Sequence, residues 1–135
     1  MIVYRLEHGK IKNRRTGIGA GPYMDEWYWG TELEDQGFFE AQSRLLDRSN
    51  ETTPSPWNYR SGFFSINTEQ SCACESLESL IEWFGIDLIK EWVERFGFVV
   101  ASYEVPDNRC WVGNFGQVLF AHRYASRVQE EVLSD

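Results

Sequence analysis

The sequence has no apolar run near the ~18 residues that a membrane-spanning helix requires, and its start, MIVYRLEH, lacks the charged-then-apolar layout of a secretory leader. Neither a membrane span nor a signal peptide is predicted. Cysteine is scarce: Cys72, Cys74 and Cys110 are an odd three without framework spacing, which predicts reduced thiols in a cytoplasmic chain. Structural zinc wants cysteine pairs separated by at least two residues, and Cys72 and Cys74 are separated by one. With His8 and His122 they are therefore expected as ordinary side chains and not as metal ligands. No phosphate loop, GxSxG elbow or HExxH helix occurs. Gly17, Gly19 and Gly21 form a G-x-G-x-G run, but Pro22 and Tyr23 follow where a dinucleotide site needs a helix to begin. The carboxylate pairs Asp25-Glu26 and Glu34-Asp35 are adjacent, which does not place two carboxylates across one bond. Basic residues are few, 13 against 21 acidic, for a formal net charge of −8. That balance argues against direct nucleic-acid binding.

What is present points to one domain over residues 1–135, long enough to bury roughly two-thirds of its unfolded surface. Hydrophobic residues make up 42% and aromatics 16%, enough for a core and for large flat contact surfaces as well. Charge is unevenly placed. Residues 1–15 carry Arg5, Lys10, Lys12, Arg14 and Arg15 against Glu7 alone. Residues 25–40 carry Asp25, Glu26, Glu32, Glu34, Asp35 and Glu40 with no basic residue. Within that acidic stretch Trp27, Tyr28 and Trp29 are consecutive, and in a strand they could not all face one core. At least one is then exposed, as an interface anchor would be. Trp57, beside Pro56 and Asn58, has a similar character. A partner surface is therefore expected at Asp25, Glu26, Trp27, Trp29, Glu34, Asp35 and Trp57, suited to a protein with a basic surface. The plain alternative is a solvated acidic face, with a loop wrapping the aromatics onto the core.

Periodicity supplies the elements. Ile2, Tyr4 and Leu6 alternate with Val3, Arg5 and Glu7, which predicts a first strand. Arg5 and Glu7 share one face of it. The plain reading is a solvated face with a cross-strand ion pair worth at most ~1 kcal/mol. The functional reading has Arg5 reaching a phosphate or carboxylate, helped by backbone N–H groups of the following glycine-rich loop. Phe38, Ala41, Gln42 and Leu45 predict a short helix around 38–46, and the prolines at 54 and 56 predict a loop over 49–59. GFFSI at 62–66 reads as a short strand. Leu77, Leu80, Ile81 and Phe84 lie on one helical face between Ser76 as N-cap and Gly85 as stop. Leu88, Ile89, Trp92, Val93 and Phe96 repeat the design, with Asp87 as cap and Gly97 as stop. Trp92 belongs to that stripe and is expected in the core; Trp83 is expected to be partly exposed. FVVASYEV, closed by Pro106, predicts a strand, PDNR a turn, and CWVG and QVLFA two short strands. HRYASRVQEEVL predicts a closing helix with Tyr124, Ala125, Val128 and Val132 on one side. The class is α+β: a mixed or antiparallel sheet, a central helical pair and a C-terminal helix.

The order YRLEH, TGIGAGPY, PSPW, SLESLIEWF, GFVVASYEVP and GQVLF resembles a family of small proteins encoded by bacteriophages and prophages. The likeness covers about the first 25 residues and then 54–121. It implies a phage accessory protein acting in the cytoplasm of an infected cell, and small acidic phage proteins of that kind resemble inhibitors of host enzymes or of antiviral defence. A looser likeness runs to the ADP-ribosyltransferase fold. Tyr4-Arg5 matches its first-strand aromatic and cation, and Phe64-Ser65 its aromatic-Ser strand. That likeness implies NAD as cofactor and a ligand site at Tyr4, Arg5 and Ser65. Gln117 stands in GQVLF where those enzymes need a glutamate, leaving Glu104 as the alternative catalytic carboxylate. A neutral amide does not stabilise developing positive charge as a carboxylate does. Without a complete catalytic constellation, the leading expectation is a non-enzymatic protein that binds a host protein; its oligomeric state is left open.

Overall fold

In a computed structural model, residues 1–23, 26–51, 62–63 and 66–133 are described, residues 26 and 48–51 by their backbone alone. The first strand, β1 (Ile2–His8), is followed by two 3₁₀ turns (Glu26–Tyr28 and Glu32–Gln36) and helix α1 (Phe38–Glu51). Strand β2 (Gln70–Cys74) then leads into α2 (Leu77–Phe84), α3 (Ile86–Phe96) and β3 (Phe98–Glu104). The chain ends in three strands, β4 (Cys110–Val112), β5 (Gln117–Ala121) and β6 (Ser126–Glu131). The six strands form one antiparallel sheet in the order β4-β5-β2-β1-β3-β6.

One face of the sheet carries the three helices. Phe38 is fully buried at the centre of that layer, its ring 4.6 Å from Tyr28 and 5.2 Å from both Trp92 and Phe96. Such tilted and edge-on ring pairs add to plain area burial. As the helical spacing requires, Ala41, Gln42 and Leu45 join Phe38 on the buried side of α1. Gln42 satisfies its amide by donating to the Pro22 carbonyl at 2.9 Å. Ser76 caps α2 by accepting from the Ser79 N–H at 3.0 Å. Leu80 and Phe84 of α2, and Ile89, Trp92 and Phe96 of α3, are buried as predicted, whereas Val93 stays exposed.

Several expectations are corrected. The last segment is no helix: a 3₁₀ turn at His122–Tyr124 gives way to β6. Ala, Arg, Gln and Glu favour a helix locally, but β3 offers a free edge, and β6 pairs with it from Ser126 opposite Glu104 to Glu131 opposite Val100. Of the expected apolar side, Ala125 packs against the sheet, while Tyr124 in the turn, Val128 in the strand and Val132 beyond it are exposed. Asp87 does not cap α3. Gly85, at a φ of 83° that disfavours other residues, ends α2 and starts α3, placing Asp87 in the first turn. Trp83 is buried, its indole N–H donating to the Tyr23 hydroxyl at 2.7 Å. Helix α1 runs on to Glu51, past the predicted start of the loop, most of which lies outside the described residues. Of the expected 62–66 strand, residues 64 and 65 lie outside them, and 62, 63 and 66 belong to no strand. Strand β2, which periodicity did not predict, lies between β1 and β5.

The second face of the sheet is covered by the glycine-rich loop. His8 turns the chain into it: the His8 Nδ1 accepts the N–H groups of Lys10 and Ile11 at 3.0 and 2.9 Å. The loop doubles back through a Lys12–Gly19 bridge, and the His8 N–H donates to the Ala20 carbonyl at 2.9 Å. Gly19 then lies so close to β1 that a Cβ there would stand 2.6 Å from the His8 carbonyl oxygen. Gly19→Ala should cost about 1–3 kcal/mol through that collision, read as a fall of several degrees in Tm. An unchanged Tm would mean that the loop lifts off without penalty.

Burial holds the His8 imidazole below its ordinary value of 6.5. The folded chain prefers the neutral ring, whose Nδ1 lone pair the two N–H groups need. As pH falls below 6.5 the unfolded chain therefore protonates first, and stability drops. The urea midpoint should decline from pH 7.5 to pH 5, and less so in His8→Asn; the same slope in both would remove His8 as the cause.

Candidate functional site

Arg5 and Glu7 face the glycine-rich loop. Both are buried, Glu7 completely, so the solvated-face reading is wrong: a covering loop is invisible in the alternation of the strand itself. Arg5 Nε donates to Glu7 Oε1 at 2.9 Å, Nη1 to the Cys72 carbonyl at 2.9 Å and Nη2 to the Gly19 carbonyl at 2.9 Å. The Glu7 carboxylate also accepts the Gly19 N–H at 3.2 Å and the Tyr103 hydroxyl, 2.9 Å from each of its oxygens. Burial, followed by the nearby Glu7 charge, pushes the Tyr103 hydroxyl far up, so it remains a donor. The loop N–H expected to meet a ligand thus meets a carboxylate of the protein's own.

The remaining residues of the expected ligand site are dispersed. Tyr4 is half-buried on the helix-bearing face, opposite Ser102 and Cys74. Glu104 is exposed at the end of β3 opposite Ile2, whereas Arg5 lies opposite Ala101, so Glu104 and Arg5 are not brought together. Gln117 is buried. Ser65 lies outside the described residues. Desolvation pushes the Cys72 and Cys74 thiols up to about 12, which leaves them protonated and poorly nucleophilic.

The acidic-aromatic segment is built outward from Tyr28. That ring is fully buried, and its hydroxyl lies 2.8 and 2.7 Å from the Ala20 and Gly21 carbonyls. One residue on, Trp29 is 64% exposed. The turn that carries it is held by the Thr31 hydroxyl, which donates to the Tyr28 carbonyl at 2.6 Å and accepts the Leu33 N–H. Leu33 is buried beneath a second 3₁₀ turn that leaves Glu32, Glu34 and Asp35 exposed. Glu34 also accepts the Gly30 N–H at 3.0 Å. Trp27 is half-buried, with the Arg15 guanidinium 5.7 Å from its ring. The three aromatics thus divide by turn geometry into one buried, one half-buried and one exposed. The Glu26 backbone lies in the first turn. Asp25 and Trp57 lie outside the described residues.

Sequence reasoning missed the part played by Tyr103 and the neighbours of Trp83. Tyr103 is 96 residues from Glu7 in the chain; the register sets it opposite Val3, and its side chain reaches along the sheet to the carboxylate. No helix among the described residues is long and apolar enough to cross a membrane. Glu7→Gln should destabilise the fold by about 3–5 kcal/mol, because it leaves Arg5 buried without a counter-charge. Arg5→Met with Glu7→Leu should recover much of that loss in urea denaturation; a double variant no better than Glu7→Gln would refute this account.

The family model described as Bacteriophage T4 Y00F protein matches residues 1–134, and the chain belongs to that phage family. The match includes residues 26–50, which the resemblance in the sequence had left uncovered. No curated protein and no solved structure matches the chain.

Proposed function

We propose that this member of the Bacteriophage T4 Y00F family binds a host protein in the cytoplasm of the infected cell and inhibits or modulates it. The contact is the acidic-aromatic segment 25–40, and the partner surface is basic. The observation that carries this reading is Trp29, 64% exposed on a turn anchored by the buried Tyr28 and Leu33. A tryptophan so exposed gains little for the fold, and a fixed backbone lowers the ordering cost of binding. Exposed Glu32, Glu34 and Asp35 on the next turn supply the field that steers a basic partner and makes association depend on salt. The NAD-dependent alternative has weaker support, since Arg5 is engaged with Glu7 and Glu104 stands apart from it.

The experiment is affinity capture from host lysate with the tagged full chain, followed by Kd measurements on the captured protein at several salt concentrations. Trp29→Ala should raise Kd about tenfold or more, as loss of an aromatic anchor does. Neutralising Asp25, Glu26, Glu34 and Asp35 together should weaken binding and flatten its salt dependence, and Trp29→Ala should leave Tm unchanged. A captured partner that binds both variants with wild-type affinity would end the proposal.

A further inference from the structure

β1 and β2 are neighbours in the sheet, yet they share a single pair, Tyr4 with Cys74. In an antiparallel ladder, main-chain groups turned towards one neighbour recur at every second residue. Leu6 and Cys72 would be the next pair, but the Cys72 carbonyl accepts Arg5 Nη1 instead. The strands part there, and a cavity of about 240 Å³ opens in the gap.

Tyr23, Trp83 and Phe84 form an aromatic side of this cavity, while Arg5, Arg15 and Gln117 are among its polar lining. The described lining contains two arginines and no aspartate or glutamate, although the chain has 21 acidic residues. Arg5 carries five N–H donors, of which three are bound to Glu7, Cys72 and Gly19, leaving two for a ligand. Glu7 already balances the Arg5 charge, so Arg5 serves as a donor fork, and the Arg15 guanidinium stands in the same lining. The volume falls just short of the ~300 Å³ at which sites for drug-sized molecules begin. That limits a ligand to one ring system with a short polar extension.

We propose that this cavity binds a planar organic anion no larger than a mononucleotide, its ring against Tyr23 and Trp83 and its acidic group at Arg5. The same chemistry is offered by nucleoside monophosphates and by aromatic carboxylates. The full chain is titrated separately with AMP, anthranilate, adenosine and inorganic phosphate, and read by Tm and by the Trp83 indole N–H resonance.

Either AMP or anthranilate, or both, should raise Tm by several degrees at saturation and move the Trp83 resonance; which of them acts identifies the source. Adenosine and phosphate should do neither. Arg15→Gln, a change at an exposed residue, should weaken binding about tenfold, and Cys72→Leu, which fills the gap, should abolish it. The proposal is overturned if no anion acts, if adenosine or phosphate alone acts as strongly, or if binding is unchanged in Arg15→Gln. Should Cys72→Leu fail to fold, Arg15→Gln and the resonance decide the matter alone.

Discussion

A carboxylate with no exposure must be met by donors on every side, because burying an unpaired charge costs several kcal/mol. Glu7 meets that condition with three donors from different parts of the chain: Arg5 beside it, the Gly19 N–H of the loop and the Tyr103 hydroxyl of β3. Each donor imposes something further. The Gly19 N–H requires the loop after β1 to fold back over the sheet. The Tyr103 hydroxyl adds a side-chain bond to the seven-pair ladder between β1 and β3. Arg5, held along its own strand, spends its remaining bonds on Gly19 and Cys72 and so tethers β2 without a regular ladder. The break between β1 and β2, and the cavity within it, follow from that substitution of a side chain for a backbone group.

The other face of the sheet depends on aromatic packing. Phe38 contacts Tyr28, Trp92, Phe96 and Phe98, so one ring joins α1, α3, β3 and the acidic-aromatic segment. Tyr28 links the two faces: its ring lies in the aromatic layer, and its hydroxyl is bonded to the Ala20 and Gly21 carbonyls of the loop. The segment that displays Trp29 and its carboxylates is therefore held by the same loop that covers Glu7. A small protein can in this way present acidic groups and an indole on a backbone fixed from beneath.

Legibility varied with how far each element depends on distant residues. Helices α2 and α3 were readable because their caps, stripes and stops lie within the elements themselves; Asp87 was displaced as a cap when Gly85 served both helices, and Val93 of the expected stripe is exposed. β2 was missed because QSCAC alternates no clear apolar and polar positions, and it becomes a strand only between β1 and β5. β6 was misread because its local propensity favours a helix while the open edge of β3 favours a strand. Trp83, expected to be partly exposed, is buried against a partner, the Tyr23 hydroxyl, that lies 60 residues earlier.

The α+β class, the aromatic core of the helical pair, the acidic-aromatic segment and the likeness to a phage family are legible in the residues alone. These rest on composition, short-range periodicity and ordered motifs, all of which survive without knowledge of what packs on what. The burial of Arg5 and Glu7, the outward turn of Trp29 in place of Tyr28, and the edge strand at Ser126–Glu131 depend on packing between distant parts of the chain. In each case the deciding group comes from elsewhere in the fold: the Gly19 loop over β1, the Ala20 and Gly21 carbonyls beneath Tyr28, and the free edge of β3. Burial and pairing are properties of both surfaces that meet, and one strand's pattern specifies only its own.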